Sequence, residues 1–209
     1  MNRILNDGGG TVLAFGAHPD DIEIGAGGLL ARLAAEGADI TMAVCAVPNN
    51  FEVRRKEAQA GADYIGAELM ILFDEKPLRV EDVPMYEMVR RFDQLVGDLH
   101  PDLVITHSAH DLHWDHGLVH KATVSALRRT PCDLLAFLSS PEMNAHARCV
   151  GECFADVSTS IDKKLAAIGC HASQLAKFDL ESSRDLARAM GRISGYEYAE
   201  AYQVLRVRV

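Results

Sequence analysis

Short apolar runs that alternate with helical patterns constrain the fold of this chain more than any other feature. Residues 11–16 and 40–46 have the length and composition of buried strands, and residues 21–37 between them space their apolar side chains like a helix. The same alternation continues with helical patterns at 52–66 and 82–99 and strand patterns at 69–73 and 103–106. Repetition of this kind predicts an α/β fold of Rossmann-like type, a mostly parallel sheet with helices on both faces.

The second half of the chain shows the same pattern with wider gaps. We expect a helix at 117–129, a strand at 134–138, a helix at 161–174 and a final strand at 202–209. Because the last segment alternates with arginines, it suits the edge of the sheet. A length of 209 residues with 48% hydrophobic content and no long linker predicts one domain over residues 1–209.

Charge and hydropathy exclude two classes of partner. The formal net charge is -9, so a phosphate backbone would meet a repulsive average field, and we expect no nucleic-acid partner. No apolar run reaches the roughly 18 residues that cross a bilayer. Residues 1–10 lack a basic start followed by an apolar stretch, so we expect a soluble, cytoplasmic protein without a membrane span.

The five cysteines are odd in number and scattered, which argues against a disulfide framework. Reduced thiols are the simplest interpretation. Cys149 and Cys153 could form half of a metal site, but no second pair accompanies them.

A first polar cluster follows the first predicted strand, where ligands bind in sheets of this kind. His18, Asp20 and Asp21 place an imidazole and two carboxylates there, groups that can ligate a metal or act as a base. Alternatively, Asp20 or Asp21 caps the next helix, although that leaves His18 unexplained. Nucleotide binding is a weaker alternative, because residues 25–30 break the G-x-G-x-x-G pattern and come too late after the strand.

A second cluster follows the strand at 103–106 and holds five of the nine histidines within residues 107–120. For His107, His110 and His120 a surface or core role is the ordinary interpretation. His113 and His116 differ because Asp115 lies between them, and a carboxylate commonly orients a functional imidazole. The run also resembles the H-x-H-x-D-H motif of metallo-beta-lactamase-like hydrolases. However, Asp111 occupies the first histidine position, and that fold gives no role to the first cluster.

Together the clusters resemble the LmbE-like, or PIG-L, family of zinc-dependent N-acetylglucosaminyl de-N-acetylases, which carry A-H-P-D-D near the amino terminus and H-x-D-H later. Smaller similarities follow in the family's order: R-x-x-E at 54–57, H-x-S-Q at 171–174 and A-E-A-aromatic at 199–202. One departure is Trp114, which stands where the family usually has proline and bears on the substrate rather than on the metal.

The resemblance implies a role for each matching residue. His18, Asp21 and His116 would bind zinc, Asp20 would be the general base, and His113 would face the reacting carbonyl. From the chemistry of amide hydrolysis, we expect a protonated His113 to stabilise the oxyanion. Asp115 would orient His113, and Arg54 would hold substrate hydroxyls or a phosphate. A site of two histidines and one aspartate accepts Fe²⁺ or Co²⁺ as well as Zn²⁺.

The implied function is a zinc-dependent hydrolase that removes an N-acetyl group from an amino sugar or glycoconjugate, with metal-bound water as the nucleophile. Two alternatives stay open from the residues. One is a zinc hydrolase that cleaves an ester or a cyclic amide. The other is a non-catalytic module that binds a nucleotide or sugar phosphate, with structural histidines. Assembly into a homo-oligomer is compatible with the apolar content.

Overall fold

A computed structural model of the protein describes residues 9–137, 151–176 and 179–208. Seven strands form its sheet: β1 (Thr11–Gly16), β2 (Asp39–Ala46), β3 (Glu68–Phe73), β4 (Leu103–His107), β5 (Asp133–Phe137), β6 (Cys153–Asp156) and β7 (Ala199–Arg206). The helices are α1 (Asp21–Ala35), α2 (Phe51–Ile65), α3 (Met85–Leu99), α4 (Trp114–Ala126), α5 (Ile161–Gly169) and α6 (Leu180–Ser194).

The strands lie in the order β3-β2-β1-β4-β5-β7-β6. The first five are parallel, and β7 runs antiparallel to both β5 and β6. This confirms the predicted α/β class with a mostly parallel sheet. The predicted edge position of the last strand is wrong, because the short strand β6, which sequence patterns did not reveal, pairs with β7 and forms that edge.

Alternate residues of β1 enter two separate cores. Val12 and Ala14 pack with apolar residues of α1 and α2, whereas Leu13 and Phe15 pack with those of α3 and α4. Helix α5 lies with α1 and α2 on the first face. Helices therefore cover both faces of the sheet, as buried parallel strands require.

Most predicted elements agree with the structure to within a few residues, and the differences have local causes. Helix α4, predicted to begin at residue 117, begins at Trp114. The His113 ring accepts a hydrogen bond from the Asp115 backbone N–H and so caps the helix at this earlier position. Helix α6 was not predicted. Residues 138 and 209 of the two predicted strands lie outside the described residues, as does Cys149.

The glycines of α1 allow the helix to lie close against its neighbours. A Cβ on Gly25 would lie 2.0 Å from Phe137 Cδ2, and one on Gly28 would lie 2.8 Å from Val157 Cγ1. Glu200 on β7 accepts hydrogen bonds from the Gly28 and Leu29 N–H groups, both at 2.8 Å. These glycines therefore allow close packing of α1, which argues against the alternative that they form a phosphate-binding turn.

Lys164 completes this buried connection between α1, α5 and β7. Its Nζ lies 2.5 Å from Glu200 Oε1 and donates to the Ile24 carbonyl at 2.8 Å, while the Tyr202 hydroxyl donates to Glu200 Oε2 at 2.7 Å. Glu200 and Tyr202 belong to the A-E-A-aromatic segment, so that motif has a structural role in this protein. It holds the first helix, which begins at the candidate site, against the sheet.

Candidate active site

The two polar clusters meet at the carboxyl ends of β1 and β4, which are neighbours in the sheet. The chain leaves β1 towards β2 on one side, while β4 lies on the other, so the clusters occupy the switch point of the sheet. Two groups of side chains in the described residues bring three possible metal-ligating atoms within 4.8 Å of one another. One group is His18, His113 and His116, and the other is Asp21, His107 and His116.

Two of the expected ligands, His18 and His116, lie close to the carboxylate of the third, Asp21. His18 Nδ1 lies 3.5 Å from Asp21 Oδ2, and His116 Nε2 lies 3.3 Å from Asp21 Oδ1. Asp21 is buried and accepts a hydrogen bond from the His18 backbone N–H at 2.8 Å. Asp21 therefore lies within 3.5 Å of one nitrogen of each ring, although the three expected ligands together are neither of the two groups above. Two imidazoles and a carboxylate are a donor set that suits a divalent zinc-like cation.

The outer nitrogen of each of these two rings contacts a further carboxylate. His18 Nε2 lies 2.9 Å from Asp115 Oδ2, and His116 Nδ1 lies 2.8 Å from Asp111 Oδ2. The position of Asp115 differs from our expectation, since its carboxylate contacts His18 and only its backbone N–H reaches His113. Asp111 was not predicted as part of the site, because it matched no motif position.

The surplus of carboxylates makes this a cation-attracting site. Burial lowers the pKa of His18 and His116, but the neighbouring carboxylates outweigh it and raise the pKa of His18 to about 9 and that of His116 to about 10. Burial opposes ionisation of Asp21, yet the His116 and His107 rings hold its pKa well below the usual value. These opposite shifts show that the carboxylates of the site favour a positive charge beside them.

His113 lies beside the two expected ligands and is held by backbone groups. Its Nδ1 accepts from the Asp115 N–H at 3.2 Å, and its own N–H donates to Asp111 Oδ1 at 2.9 Å. Burial, together with the His116 and His18 rings, lowers the pKa of His113. Since Nδ1 accepts, the neutral ring carries its proton on Nε2 and can donate a hydrogen bond without being protonated, which differs from the protonated form that we expected.

His107 contacts residues of both polar clusters. Its Nε2 accepts from the Ala17 backbone N–H at 3.0 Å, and its ring stacks on His116 with centroids 4.0 Å apart. Burial, with the His116 charge as the second cause, lowers the pKa of His107 to about 4. His120 Nδ1 contacts the His107 carbonyl at 2.8 Å, and His110 is exposed. His110 and His120 therefore have the ordinary roles expected for them, whereas His107 belongs to the site, since its Nε2 also lies 3.3 Å from Asp21 Oδ2.

Asp20 lies at the entrance to α1 in an uncommon backbone conformation, with φ at +100°. Its side chain makes no capping hydrogen bond, and Asp21 accepts from His18, so the alternative that either aspartate caps the helix is wrong. Burial and the adjacent Asp21 charge raise the pKa of Asp20 to about 7, against the opposing charge of Arg54. Strain of this kind at a residue that faces a polar site is typical of functional positions.

Arg54 on α2 holds the backbone next to Asp20. Its Nη2 donates to the Pro19 carbonyl at 2.8 Å and lies 3.5 Å from Asp20 Oδ2. The residue is only 4% exposed, which leaves little of it accessible to a ligand. Its contacts suit positioning of the Asp20 carboxylate better than the substrate contact that we expected.

The shorter R-x-x-E and H-x-S-Q motifs contact each other beside α2. Glu57 accepts from the Ser173 N–H at 2.8 Å and from the Ser173 hydroxyl at 2.6 Å, and His171 Nε2 lies 2.8 Å from Glu23 Oε1. The R-x-x-E and H-x-S-Q segments therefore contact each other at the surface through Glu57 and Ser173, while His171 makes a buried contact with Glu23 of α1. Trp114, by contrast, is 65% exposed, with the Lys121 ammonium 5.8 Å from its ring centroid.

Comparison with known proteins identifies the family. A profile of the family described as GlcNAc-PI de-N-acetylase (PIG-L) matches residues 13–127. The chain is 27% identical over 184 residues to a probable N-acetyl-alpha-D-glucosaminyl L-malate deacetylase 2 of Bacillus cereus, covering 78% of this chain and 83% of that protein. The chain belongs to the PIG-L family, which confirms the predicted family and its class of enzyme, hydrolases that act on N-acetyl amides.

Solved structures share the fold across nearly the whole chain. The 4-carboxy-2-hydroxymuconate hydratase GalB of Pseudomonas putida superposes with a TM-score of 0.78 at 22% identity, covering 96% of this chain and 98% of GalB. The N,N'-diacetylchitobiose deacetylase of Pyrococcus horikoshii gives a TM-score of 0.76 at 19% identity, covering 93% and 83%. Since the first is a hydratase and the second a deacetylase, this likeness establishes the fold and leaves the reaction to the site.

The helices can also be compared with the length and composition that a membrane crossing requires. Within the described parts of the chain, no helix combines the length and apolar character that a bilayer crossing needs.

Proposed function

We propose that this protein is a metal-dependent amidohydrolase that removes the N-acetyl group from an amino sugar or glycoconjugate, and that residues 1–209 form one domain of this type. The observation that carries the proposal is that one nitrogen of His18 and one of His116 each lie within 3.5 Å of the Asp21 carboxylate, with Asp20 next to Asp21 in the chain. Two relatives support the substrate class by name, one acting on an N-acetylglucosaminyl malate and one on N,N'-diacetylchitobiose.

His18, Asp21 and His116 would hold the cation, for which we propose Zn²⁺, with Fe²⁺ or Co²⁺ as substitutes. When bound to three protein ligands, such a cation supplies Lewis-acid polarisation and lowers the pKa of coordinated water. The two rings and the carboxylate are buried or nearly so. Burial keeps the electrostatic effect of the site strong, because fewer water dipoles screen it.

Asp20 is the proposed general base. Its carboxylate neighbours Asp21, is partly accessible and is held by the contact of Arg54 with Pro19. A base must lie within hydrogen-bond reach of the proton that it accepts. Asp20 occupies the N-cap position of α1, but its side chain makes no capping hydrogen bond, which leaves the carboxylate available for this role. It accepts the proton of the attacking water as the carbon–oxygen bond forms.

His113 is the proposed hydrogen-bond donor to the carbonyl oxygen. The Asp115 N–H occupies Nδ1, so Nε2–H is the group available to donate. A single preorganised donor of this kind lowers the barrier by about 3–4 kcal/mol in other hydrolases. Asp20, which holds the proton of the water after the attack, would return it to the leaving amine, because the neutral His113 ring could give up its Nε2 proton only by becoming an imidazolate.

An acetate-release screen tests this proposal. The purified protein, supplied with Zn²⁺, is incubated with N-acetylglucosaminyl malate, N,N'-diacetylchitobiose and O-acetyl sugars, and both acetate and free amine are quantified. We expect equal amounts of acetate and amine from at least one N-acetyl sugar, and loss of both in the matched variant Asp20→Asn. Release of acetate only from the O-acetyl sugars would assign the protein to ester hydrolysis instead.

A further inference from the structure

Trp114 is an exposed aromatic residue at the border of the candidate active site. It is the first residue of α4 and lies between His113 and Asp115 in the chain. Both neighbours face the site, since the centroids of the His113 and His18 rings are 5.2 Å apart and Asp115 Oδ2 lies 2.9 Å from His18 Nε2. Trp114 itself is 65% exposed, whereas His116, two positions later, is 4% exposed. The indole ring therefore lies on the outer side of the helix whose inner side forms the site.

Lys121 lies on the same side of α4 as Trp114. Seven residues are nearly two helical turns, and the Cα–Cβ bond of a helical residue tilts towards the amino terminus of the helix. The lysine side chain extends back along α4, and its ammonium lies 5.8 Å from the centroid of the indole ring. Lys121 is exposed and is the only lysine or arginine of α4, and no carboxylate of the described residues pairs with it. An indole face and a free cation thus lie together beside the site.

This combination has a specific binding chemistry. A single exposed apolar side chain is ordinary, and the ammonium beside it makes Trp114 different. A pyranose ring has a face of C–H groups that can pack on an indole, and a carboxylate or phosphate can pair with an ammonium. Because the formal net charge of the chain is -9, an anionic ligand needs a local cation of this kind to offset the average field.

We propose that Trp114 and Lys121, together called the α4 rim, bind the part of the substrate beyond the N-acetyl sugar and favour a substituent that carries an anionic group. This inference rests on the proposed function and defines its substrate class more narrowly. When the amide lies next to His113, a neighbouring substituent of the sugar leaves the site beside the adjacent residue, Trp114. Since the family usually has proline at this position, the preference belongs to this chain.

The fluorescence of Trp114 tests the proposal directly, because it is the only tryptophan in the chain. The zinc-loaded variant Asp20→Asn, in which turnover should be lost, is titrated with N-acetylglucosaminyl malate, N-acetylglucosamine 1-phosphate and the neutral N,N'-diacetylchitobiose. We expect a change of emission with each ligand, and tighter binding of the anionic ligands that weakens as salt is added. Tighter binding of the malate alone would assign the α4 rim to carboxylates, and of the phosphate alone to phosphates. Unchanged emission with all three ligands, or equal affinity for neutral and anionic ones, would overturn the proposal.

A lysine substitution separates the charge from the aromatic contact. In the same Asp20→Asn background, Lys121→Gln should weaken binding of the anionic ligands by about 5-fold, the upper range for an exposed ion pair, and leave diacetylchitobiose unchanged. Lys163→Gln is the matched control, at an exposed position of α5 on the opposite face of the sheet, and should bind all three ligands as the parent does. Equal affinity of Lys121→Gln and the control for the anionic ligands would overturn the proposal.

Trp114 substitutions test the aromatic contact, with binding measured by calorimetry because they remove the fluorophore. Trp114→Ala should weaken binding of all three ligands by about 10-fold, and Trp114→Phe should recover most of that loss. Equal affinities of the two variants would overturn the proposal. Because binding is measured without turnover, the results also separate the two proposals. Acetate release with unchanged Trp114 emission would reject the α4 rim alone, whereas Lys121-dependent binding without acetate release in the parent protein would reject the deacetylation alone.

Discussion

Replacing Gly25 by alanine tests how tightly the first helix packs behind the site. The added Cβ would lie 2.0 Å from Phe137 Cδ2 and 2.5 Å from Cγ and Cε2. An ordinary contact begins near 3.4 Å, so the ring or the helix must move by 3.4 − 2.0, or about 1.4 Å. The Phe137 ring is fully buried and its centroid is 4.8 Å from that of His107, which leaves it little room.

Two opposing effects set the size of the change. Overpacking a core costs about 1–3 kcal/mol, and a displaced aromatic ring belongs near the upper end. Alanine in place of a helical glycine returns about 1 kcal/mol. We therefore expect Gly25→Ala to lower the free energy of unfolding by about 2 kcal/mol and the Tm by about 4–8 °C for a chain of this length.

Gly97→Ala is the matched control. Gly97 lies in α3, is exposed, and a Cβ there would meet nothing within 4 Å. The same substitution should thus stabilise the protein by about 0.5–1 kcal/mol. Urea and thermal unfolding of both variants measure the two values. If Gly25→Ala proved as stable as Gly97→Ala, the described packing of α1 on Phe137 would be refuted.

The other expected outcomes concern the site and its support. Asp20→Asn and His113→Ala should each retain metal and lose most turnover, measured by metal content beside acetate release; full activity in Asp20→Asn would reject the assigned base. Arg54→Lys should lower kcat by about 10-fold to 100-fold at little changed KM, because it disturbs the base rather than the substrate. A raised KM with unchanged kcat would instead make Arg54 a substrate ligand. Glu200→Gln should destabilise the fold by about 3–5 kcal/mol in urea unfolding, because it leaves the buried Lys164 ammonium without its ionic partner. A loss below about 1 kcal/mol would show that the pair contributes little.

The sequence predicted the elements whose pattern is local. The strand at 11–16 was predicted with the bounds that the structure shows, because a fully buried parallel strand is a continuous apolar run between polar turns. The meeting of the two polar clusters was also predictable, since both follow strands of one parallel sheet. Neither required knowledge of contacts between distant residues.

Features that depend on distant contacts were not predictable. The short strand β6 forms only because β7 pairs with it, and nothing in its four residues separates it from a loop. Likewise, the resemblance implied that Asp115 orients its neighbour His113, whereas its carboxylate contacts His18 from the other cluster. Asp111 stood five positions before His116, a spacing that identifies no partner until the turn between them is known.

The metal content of single-site variants tests whether His18, Asp21 and His116 bind the cation. We expect one bound metal ion per chain in the parent protein and in the variants His113→Ala and His110→Ala. We expect none in His18→Ala, Asp21→Ala and His116→Ala. Loss of metal in His113→Ala with retention in Asp21→Ala would contradict this expectation, because the cation would then lie among His18, His113 and His116 rather than at the three expected ligands.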